Sequence, residues 1–554
     1  MESTITFEFE EKLNKIRVSS SSANLYATLL DVYTVPNPLY VVLTKRGVYG
    51  VDETISPISA LGLFDIGLFP LVYKTALELV NKDISRIIIS EKDKNLIQNS
   101  VIPLKNVLSD EYTVGELCQA KPMRWYQRKG VELMMKSGRC IIEGSTGSGK
   151  SLMLANLINE LRDNNFPKMG DKTHILVVVP TRQLVDQMYD DFKSYGLDDI
   201  CRFTSDSGKK SDGTYKDNSC NNGFSNVIIS NHAWICEKYQ LERFPITKIG
   251  CVIADEVHTA TKKSKKMGKK SSKSRGHIDI VRVIEKIKPI LRFGCTGTLP
   301  TNEYTRWGII GTFGISLLRT DIQTLQDEKI LSDIEIYPIM GHIREMDTAK
   351  KLPFSLNRAR NIRLGYVMED GTEIEFGTAF KLETKYFEEN AVKIYTPMLK
   401  KINDNYDFEH HNMIILFDRT VVGNHLLEIC KSLFPKCRVH YFDGSIDISI
   451  REKTRSELED SVGNILIAQS VTASVGLNIR NLHAITFCFS GKSYVKVVQS
   501  IGRVLRKMDG KQEAKLFELY FNTRYSMSHH QEKMSIFREN YGQKSIKPLQ
   551  KVDI

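Results

Sequence analysis

The 554-residue sequence lacks several features that define familiar classes of protein. None of its ten cysteines is spaced as Cys-x-x-Cys, so neither a zinc ribbon nor a thioredoxin-type redox site is indicated. No apolar run reaches about 18 residues, so no transmembrane helix is expected. No fixed-period repeat typical of solenoids is present. What remains, with 41% hydrophobic and 26% charged residues, is typical of globular domains with substantial cores.

The start of the chain and its charge narrow the class further. The first ten residues carry acid and no base, the reverse of a secretory signal peptide. Scattered cysteines without such a signal fit a reducing compartment, and we therefore expect a cytoplasmic protein. The formal net charge of +11 indicates a polyanionic partner without identifying it. Residues 261–275 hold eight basic residues and no acid, and so account for most of this excess.

Two stretches of the chain alternate short β-rich runs with helical patterns. The strands predicted in the first stretch are 140–143, 175–179, 227–230, 251–254 and 291–295. Those predicted in the second are 413–417, 438–442, 464–468, 484–489 and 516–520. Such alternation predicts an α/β fold with parallel sheets built from βαβ units. The pattern before them differs. A strand of alternating polarity at 5–9, a hairpin at 39–51 and a helix at 70–81 predict a small α+β domain. The predicted parts are an N-terminal α+β domain (1–110), two tandem parallel-sheet domains (111–318 and 319–525), an insertion within the second (344–382) and a helical C-terminal tail (526–554).

The residues from Gly144 to Ser151 match the pattern G-x-x-x-x-G-K-[ST] of a phosphate-binding loop. Glycines let backbone N–H groups curl around phosphates, Lys150 would reach the β- and γ-phosphates, and the Ser151 hydroxyl would ligate Mg²⁺. A helix beginning at Lys150 would aim its positive end at the same anion. The alternative is a Gly/Ser-rich turn without a ligand. The other nucleotide-binding candidates in this loop are Ser145, Thr146, Gly147, Ser148 and Gly149.

An acidic pair follows a buried-strand pattern further along the chain. Asp255 and Glu256 come directly after the apolar run at 251–254 and precede His258. An acid at the carboxyl end of a strand can hold Mg²⁺ across from a phosphate loop, and its neighbour can activate the attacking water. A helix cap is the alternative for such a pair. The spacing from the phosphate loop favours the catalytic interpretation.

A third motif lies near the end of the second sheet domain. Gln499 opens the segment QSIGRVLR, in which Arg503 and Arg506 stand three residues apart on one face of a predicted helix. Arginine suits the charge of a transferring γ-phosphoryl group when it is inserted as a finger. The alternative is an ordinary basic helix face.

In the order and content of these motifs, residues 120–510 resemble the superfamily 2 DExH helicases. The phosphate loop, the acidic pair and QSIGRVLR resemble motifs I, II and VI of that family. Residues 295–299, 417–419 and 470–478 resemble its motifs III, IV and V. The resemblance implies two RecA-like domains, with ATP and Mg²⁺ bound between them. It implies that Gln127 reads adenine, that Gly476 binds nucleotide, and that His258, Thr296 and Thr298 couple hydrolysis to movement. The contacts it implies along a tracked nucleic-acid strand are Thr181, Arg182, Arg419 and Thr472.

The segments QSIGRVLRK and TASVGLNIRNLH are similar to phage helicases that act on branched DNA. The expected function is therefore an ATP-dependent DNA helicase or translocase in phage-type recombination, repair and replication. It would unwind or remodel forks, D-loops and Holliday junctions, by branch migration or fork reversal. It would work as a monomer on single-stranded and duplex or branched DNA, with no membrane partner, in the host bacterial cytoplasm if a phage encodes it. The alternatives are an RNA helicase and a nucleic-acid clamp that does not unwind.

Two regions outside the shared motifs offer additional contacts. The basic run 261–275 would grip phosphates of a duplex arm, which would make binding steeply dependent on salt. Its alternative is a solvated loop with incidental charge. The N-terminal domain would grip duplex or junction DNA, or else serve as a structural cap or a protein-docking module. The lysines singled out in the basic run are Lys262, Lys263, Lys265, Lys266, Lys269 and Lys270.

Overall fold

The computed structural model describes most of the chain, with several gaps. The described residues are 2–37, 40, 44, 52–104, 112–164, 171–204, 220, 224–235, 245–259, 279–344, 376–446, 448–470, 479–488, 491, 493–508, 511 and 513–554. The chain divides into two compact units, one of residues 1–144 with 149–320 and one of residues 145–148 with 321–554. Each unit contains one large parallel sheet. The four-part division of the sequence stays a prediction.

A small mixed sheet opens the first unit, and β1 and β2 form an antiparallel hairpin within it, with Phe7 opposite Val18. Ile5 and Phe7 are fully buried, which confirms the alternation expected for this strand. The strand order of the sheet is β5-β2-β1-β6, while β3 and β4 pair separately. The strands are β1 (Ile5–Glu10), β2 (Lys15–Ser20), β3 (Val35–Pro36), β4 (Thr54–Ile55), β5 (Leu63–Asp65) and β6 (Ile87–Ile89).

Three helices accompany this sheet: α1 (Ala23–Val32), α2 (Phe69–Leu79) and α3 (Glu91–Val101). The side chains of Ser22 and Ser90 cap α1 and α3 by accepting backbone N–H bonds, as serine does at helix starts. The helix predicted at 70–81 corresponds to α2. The hairpin predicted between residues 39 and 51 lies almost wholly outside the described residues.

The large sheet of the first unit is parallel throughout, in the order β13-β7-β12-β11-β8-β10-β9. All five strands predicted for this region are confirmed, and the structure adds the edge strands β9 and β13. Because β12 lies between β7 and β11, the acidic pair follows the strand next but one to the strand before the phosphate loop. The strands are β7 (Arg139–Gly144), β8 (His174–Val179), β9 (Ile200–Phe203), β10 (Val227–Asn231), β11 (Ile249–Ala254), β12 (Leu291–Thr296) and β13 (Ser316–Thr320).

Helices on both faces bury this sheet, which explains why its central strands are almost continuously apolar. They are α4 (Trp125–Ser137), α5 (Lys150–Asp163), α6 (Arg182–Ser194), α7 (His232–Ile235), α8 (Asp279–Ile287) and α9 (Glu303–Phe313).

The N-terminal domain packs directly against the large sheet domain of the same unit. One hydrophobic core runs from Phe7 and Leu68 of the N-terminal domain to Phe313 at the end of α9. The backbones approach so closely that a Cβ atom on Gly67 would lie 2.1 Å from the carbonyl oxygen of Ile310. The two predicted domains therefore share a core, which the sequence pattern did not indicate.

The large sheet of the second unit is also parallel, in the order β16-β17-β15-β18-β19-β14-β20. All five strands predicted here are confirmed. The ten-residue strand β14 was missed, because its Pro338 and Gly341 interrupt the pattern expected of a strand. The strands are β14 (Asp333–His342), β15 (Met413–Phe417), β16 (Arg438–Phe442), β17 (Asn464–Gln469), β18 (Ala484–Cys488), β19 (Glu513–Phe521) and β20 (Gln550–Asp553).

The tail predicted as helical is helical only in part, since after α16 it adds β20 to the edge of the sheet beside β14. Residues 345–375 of the predicted insertion lie outside the described residues. Glu383 of α11 accepts hydrogen bonds from Thr523 Oγ1 and from the backbone N–H groups of Tyr525 and Ser526, and so caps α16. The helices are α10 (Ile322–Asp327), α11 (Phe376–Glu389), α12 (Ala391–Asn403), α13 (Thr420–Leu433), α14 (Ile448–Asp460), α15 (Tyr494–Val504) and α16 (Arg524–Tyr541).

Two further observations bear on the expected compartment. In the described part of the chain, no helix is both long and apolar enough to cross a membrane. Cys201 of β9 and Cys220 form a disulfide, whereas the sequence argument took the scattered cysteines as reduced.

Candidate nucleotide and nucleic-acid site

The phosphate loop joins the buried strand β7 to helix α5, the context that the motif requires. Gly147 and Gly149 have φ angles of 89° and 78°, in the left-handed region that glycine adopts without steric cost. Ser148 donates its backbone N–H to the carbonyl of Ser145 at 3.0 Å, which closes the turn. The helix begins at Lys150, so its free N–H groups and positive dipole end face the loop.

Lys150 lies between the loop and the acidic pair. Its Nζ donates to the carbonyl oxygen of Gly144 at 3.0 Å and lies 3.7 Å from Oε1 of Glu256. Its side chain is 12% exposed, so its charge acts in a weakly screened environment. Ser151, the next residue, places Oγ 3.3 Å from the Tyr195 hydroxyl. The structure thus brings motifs I and II together, as the sequence predicted.

Asp255 and Glu256 stand at the carboxyl end of β11. The Asp255 backbone N–H still donates to Val178 of the neighbouring strand, and its Oδ1 accepts the N–H of Glu256. Glu256 has a φ of 51°, a costly conformation for a residue with a Cβ and one that clusters at functional sites. In the described part of the chain, no group of three or more His, Cys, Asp or Glu residues could hold a metal by itself. One carboxylate and one hydroxyl suit Mg²⁺, which takes its remaining ligands from water and phosphate.

The electrostatics separate the two carboxyl groups. Burial, together with the adjacent Glu256, raises the pKa of Asp255 to about 6. Burial also raises the pKa of Glu256, but the charge of Lys150 and the hydrogen bond from His258 outweigh it and hold that pKa well below its ordinary value. Glu256 is therefore the more acidic of the two groups, and it is ionised, as an acceptor for a proton of water must be.

His258, Thr296 and Thr298 form a polar chain beside Glu256. His258 Nδ1 lies 3.1 Å from Glu256 Oε2 and 2.8 Å from the hydroxyl of Thr296. The Thr296 hydroxyl also contacts the carbonyl and the N–H of Thr298 at 3.1 and 3.3 Å. The structure thus brings together motifs II and III, which lie about forty residues apart in the sequence.

Gln127 lies on the third residue of α4 and packs against the phosphate loop. Its Oε1 accepts the backbone N–H of Arg124 at 2.8 Å, and its Nε2 donates to the carbonyl of Gly149 at 3.1 Å. A Cβ atom on Gly149 would lie 2.4 Å from that Nε2, so a larger residue would displace the glutamine as well as strain the backbone at a φ of 78°. The side chain thereby positions the loop, while its reading of adenine stays a prediction.

Thr181 and Arg182 begin helix α6 at the carboxyl end of β8. The Thr181 hydroxyl oxygen is buried and makes no hydrogen bond within the described part of the chain. A hydroxyl and an arginine at a helix N-terminus suit a phosphate group of a nucleic-acid backbone.

In the second unit, the three motif VI residues lie on and just after α15. Gln499 and Arg503 are buried on the helix, and Arg506 follows its last turn. Lys511 donates its Nζ to the carbonyl oxygens of Val504 and Arg506, which satisfies the carboxyl end of the helix. Lys511 stands in no motif of the sequence, since only the fold brings it to the end of α15.

Arg419 begins α13 after β15, with its Nε 3.6 Å from Oε1 of Glu388. Asp418, beside it, accepts a bond from Lys496 Nζ at 2.6 Å and another from the hydroxyl of Ser470. These contacts join motif IV, the first residue of motif V and the motif VI helix. Sequence reasoning missed Lys496 because its partner is seventy-eight residues away. Thr472, Gly476 and the six lysines of the basic run lie outside the described residues.

Comparison with known proteins gives the class of protein. Residues 120–301 match the family model described as "Type III restriction enzyme, res subunit", and residues 398–508 match "Helicase conserved C-terminal domain". Together with the two parallel sheets and the ordered motifs, these matches define an ATP-dependent helicase that resembles superfamily 2 in both halves of its core.

A curated relative is the ATP-dependent DNA helicase uvsW of Enterobacteria phage T4, 25% identical over 396 residues, which are 71% of this chain and 68% of the relative. A solved fragment described as an HsdR subunit of a type I restriction enzyme from Vibrio vulnificus YJ016 is 16% identical and covers 87% of this chain and 74% of its own, with a TM-score of 0.52. A single-residue variant of S. cerevisiae Dbp5, bound to RNA and ADP BeF3, is 12% identical and covers 78% and 91%, with a TM-score of 0.50. The two structures share the fold.

Proposed function

We propose that this chain is an ATP-dependent DNA helicase or translocase that remodels branched DNA such as forks, D-loops and Holliday junctions. The observation that carries its motor activity is the contact of Lys150 with both the phosphate loop and Glu256, beside the His258–Thr296 pair. These groups are the ones that phosphoryl transfer to water requires, since that reaction depends on positioning and charge stabilisation.

The mechanism assigns a role to each residue. Backbone N–H groups of residues 144–149 and Lys150 would hold the β- and γ-phosphates, with Gln127 keeping the loop in shape. Ser151 and Asp255 would hold Mg²⁺, which when bound neutralises charge that develops on the phosphates. Glu256 would accept a proton from the attacking water. Gln499, Arg503 and Arg506 would stabilise the γ-phosphoryl group as it transfers.

A tracked strand would be held by its phosphates, which needs no reading of bases. Thr181, Arg182, Arg419 and Thr472 are proposed for these contacts, and the lysines of 261–275 for a further grip on a duplex arm. Because the N-terminal domain shares a core with the first sheet, a duplex held by it would be fixed relative to that sheet. We propose a monomer as the working form.

DNA rather than RNA is proposed because the curated relative that matches most of this chain is named a DNA helicase. An RNA helicase is the second candidate, since Dbp5 shares the fold and is bound to RNA. A clamp that does not hydrolyse ATP is disfavoured, because every catalytic residue type of the motifs is present.

The test is an ATPase assay on the full chain with single-stranded, duplex, forked and four-way DNA, and with RNA of equal length. We expect the greatest stimulation by forked or four-way DNA. Stimulation by RNA alone would favour the second candidate. Equal stimulation by linear and branched DNA would contradict the branched-DNA proposal and leave the motor assignment intact.

A further inference from the structure

A pair of buried arginines lies where the strands of the large sheet in the first unit begin. We call this end of the strands the amino edge of the sheet, and the opposite end its carboxyl edge. Arg139 begins β7, Arg292 is the second residue of β12, and the two are in register on adjacent strands. They are only 6% and 8% exposed. Registered residues on neighbouring strands point to the same face of a sheet, so the structure holds two cationic side chains next to each other.

The hydrogen bonds of the pair are incomplete. Arg292 reaches the carbonyls of Pro289 and Thr312 only at 3.4 Å, the long limit of a hydrogen bond. Arg139 Nε is buried and has no hydrogen-bond partner within the described ranges. An unmatched polar atom on a charged group is costly in a protein interior.

Nearby acids neutralise the pair only in part. Asp65 and Glu285 are the carboxylates that face it. Asp65 already pairs with Lys15 Nζ at 3.0 Å, and Glu285 lies on an exposed position of α8. With Lys15 counted, three cationic side chains meet two acidic ones, so one positive charge is left without a partner.

A cavity of about 30 Å³ opens beside the two guanidinium groups. Besides the two arginines, its polar lining comprises Asn14 and Asp65 of the N-terminal domain, Glu285 of α8 and Thr312 near the end of α9. A volume of about 10–15 Å³ on this scale accommodates one water, so the cavity has room for two waters or one small oxyanion. It has no room for a nucleotide.

The charge of the pair persists despite burial. Burial, together with the neighbouring Arg292, lowers the pKa of Arg139, and burial lowers that of Arg292 to about 10. Arginine nevertheless remains protonated at neutral pH. Two guanidinium forks side by side match the oxygens of a tetrahedral anion and form the strongest class of hydrogen bond with them.

We infer that this cavity is a binding site for a small phosphate-type oxyanion, distinct from the nucleotide site at the carboxyl edge of the same sheet. The bound anion would neutralise Arg139 and Arg292 and fill the space between the N-terminal domain and the first sheet. It would thereby stabilise the packing of one on the other. This inference does not depend on the substrate of the helicase.

The test uses the full chain carrying Lys150→Ala, which weakens phosphate binding at the nucleotide loop. Its thermal unfolding midpoint is measured at increasing concentrations of inorganic phosphate. Chloride at equal ionic strength serves as the reference. We expect saturable stabilisation by about 2–5 °C in phosphate. Adding Arg139→Gln should remove this stabilisation, whereas adding Arg319→Gln, at an exposed arginine of the same sheet, should leave it intact.

If Arg139→Gln prevents folding, Arg139→Lys keeps a charge without the fork, and its phosphate affinity by calorimetry should fall at least about fivefold. The inference is overturned if phosphate stabilises the Lys150→Ala chain no better than chloride does. It is equally overturned if phosphate stabilises the arginine variants as much as the parent, since that places the anion elsewhere.

Discussion

The two large sheets share an architecture but close their amino edges in different ways. In the second sheet, the edge is closed by the fully buried Asn412, whose Nδ2 lies 2.9 Å from the carbonyls of Leu458 and Asn481. Its Oδ1 accepts bonds from the backbone and side-chain N–H groups of Asn464 at 3.0 Å. In the first sheet, the same edge holds the charged pair Arg139 and Arg292 with few partners.

The difference shows that the same end of a parallel sheet can either hold its strands together or present charge to a ligand. A neutral amide network satisfies strand ends locally and costs little to bury, because each polar atom finds a partner. Buried charges require a counter-charge, and a sheet that keeps them unpaired is suited to receive one from a ligand. At its carboxyl edge, the first sheet holds the opposite charges of Lys150 and Glu256 close together. At its amino edge, it holds the two arginines side by side. Its second-unit counterpart uses its amino edge to hold strands together.

The largest expected effect comes from removing charge at the carboxyl edge of the first sheet. Glu256→Gln removes the acceptor for the proton of water, so ATP hydrolysis should fall about 10³-fold. Lys150→Ala should lower the rate of ATP hydrolysis by a similar factor. Both variants should unfold at the parent's denaturant midpoint and bind DNA as the parent does, checked by urea titration and fluorescence anisotropy. Hydrolysis that survives either change would show that the site is assigned wrongly.

In the second sheet, we expect a substitution at the amino edge to lower the stability of the fold. Asn412→Ala leaves the Asn464 N–H groups buried without an acceptor, and should cost about 2–3 kcal/mol in the free energy of unfolding. Urea denaturation measures this decrease, and Asn403→Ala, at an exposed position, is the matched control. The comparison of the two edges fails if both alanine variants are equally stable.

A smaller effect is expected in the polar chain beside Glu256. His258→Ala removes the imidazole that contacts both Glu256 and Thr296 and leaves only their longer direct contact of 3.4 Å. Duplex unwinding should therefore fall about tenfold while DNA-stimulated hydrolysis changes less. Parallel ATPase and strand-displacement assays measure the two rates. An equal decrease in both would place His258 in the hydrolysis step itself rather than in coupling.

The smallest effect is expected from charge outside both sheets. Deleting residues 262–275 should lower DNA affinity about threefold to tenfold. The slope of the logarithm of the binding constant against the logarithm of the salt concentration should become less steep by about 0.9 for each phosphate that the protein no longer neutralises. Binding measured across a series of salt concentrations gives both values. Replacing the same segment with a Gly/Ser linker of equal length controls for the change in chain length. Unaltered affinity with an unaltered slope would contradict the proposed grip.

Much of the motor core was predictable because its signals are local. Ten predicted strands are confirmed, and the phosphate loop, the acidic pair and the motif VI helix lie where their motifs placed them. Local rules suffice there, since glycines at positive φ and an acid at a strand end are dictated by neighbouring residues. Edge strands such as β9 and β13 were missed because short runs carry little periodicity.

Other features escaped the sequence because they depend on distant partners. Lys496 pairs with Asp418, Glu383 caps α16, and the C-terminal strand β20 joins β14, each across a long stretch of chain. The shared core of the N-terminal domain and the first sheet, with Gly67 against Ile310, is of the same kind. None of these residues stands in a pattern that marks it.

The sequence by itself determined that this chain has two parallel-sheet halves with the motifs of an ATP-driven motor, because phosphate binding and strand formation are encoded within a few residues. Only the tertiary structure decided which charges are left unmatched. Arg139 and Arg292 are ordinary residues 153 positions apart in the sequence. They become a candidate anion site only because β7 and β12 are neighbours and the N-terminal domain covers their edge. Burial makes a charge costly, and burial is a property of the whole fold.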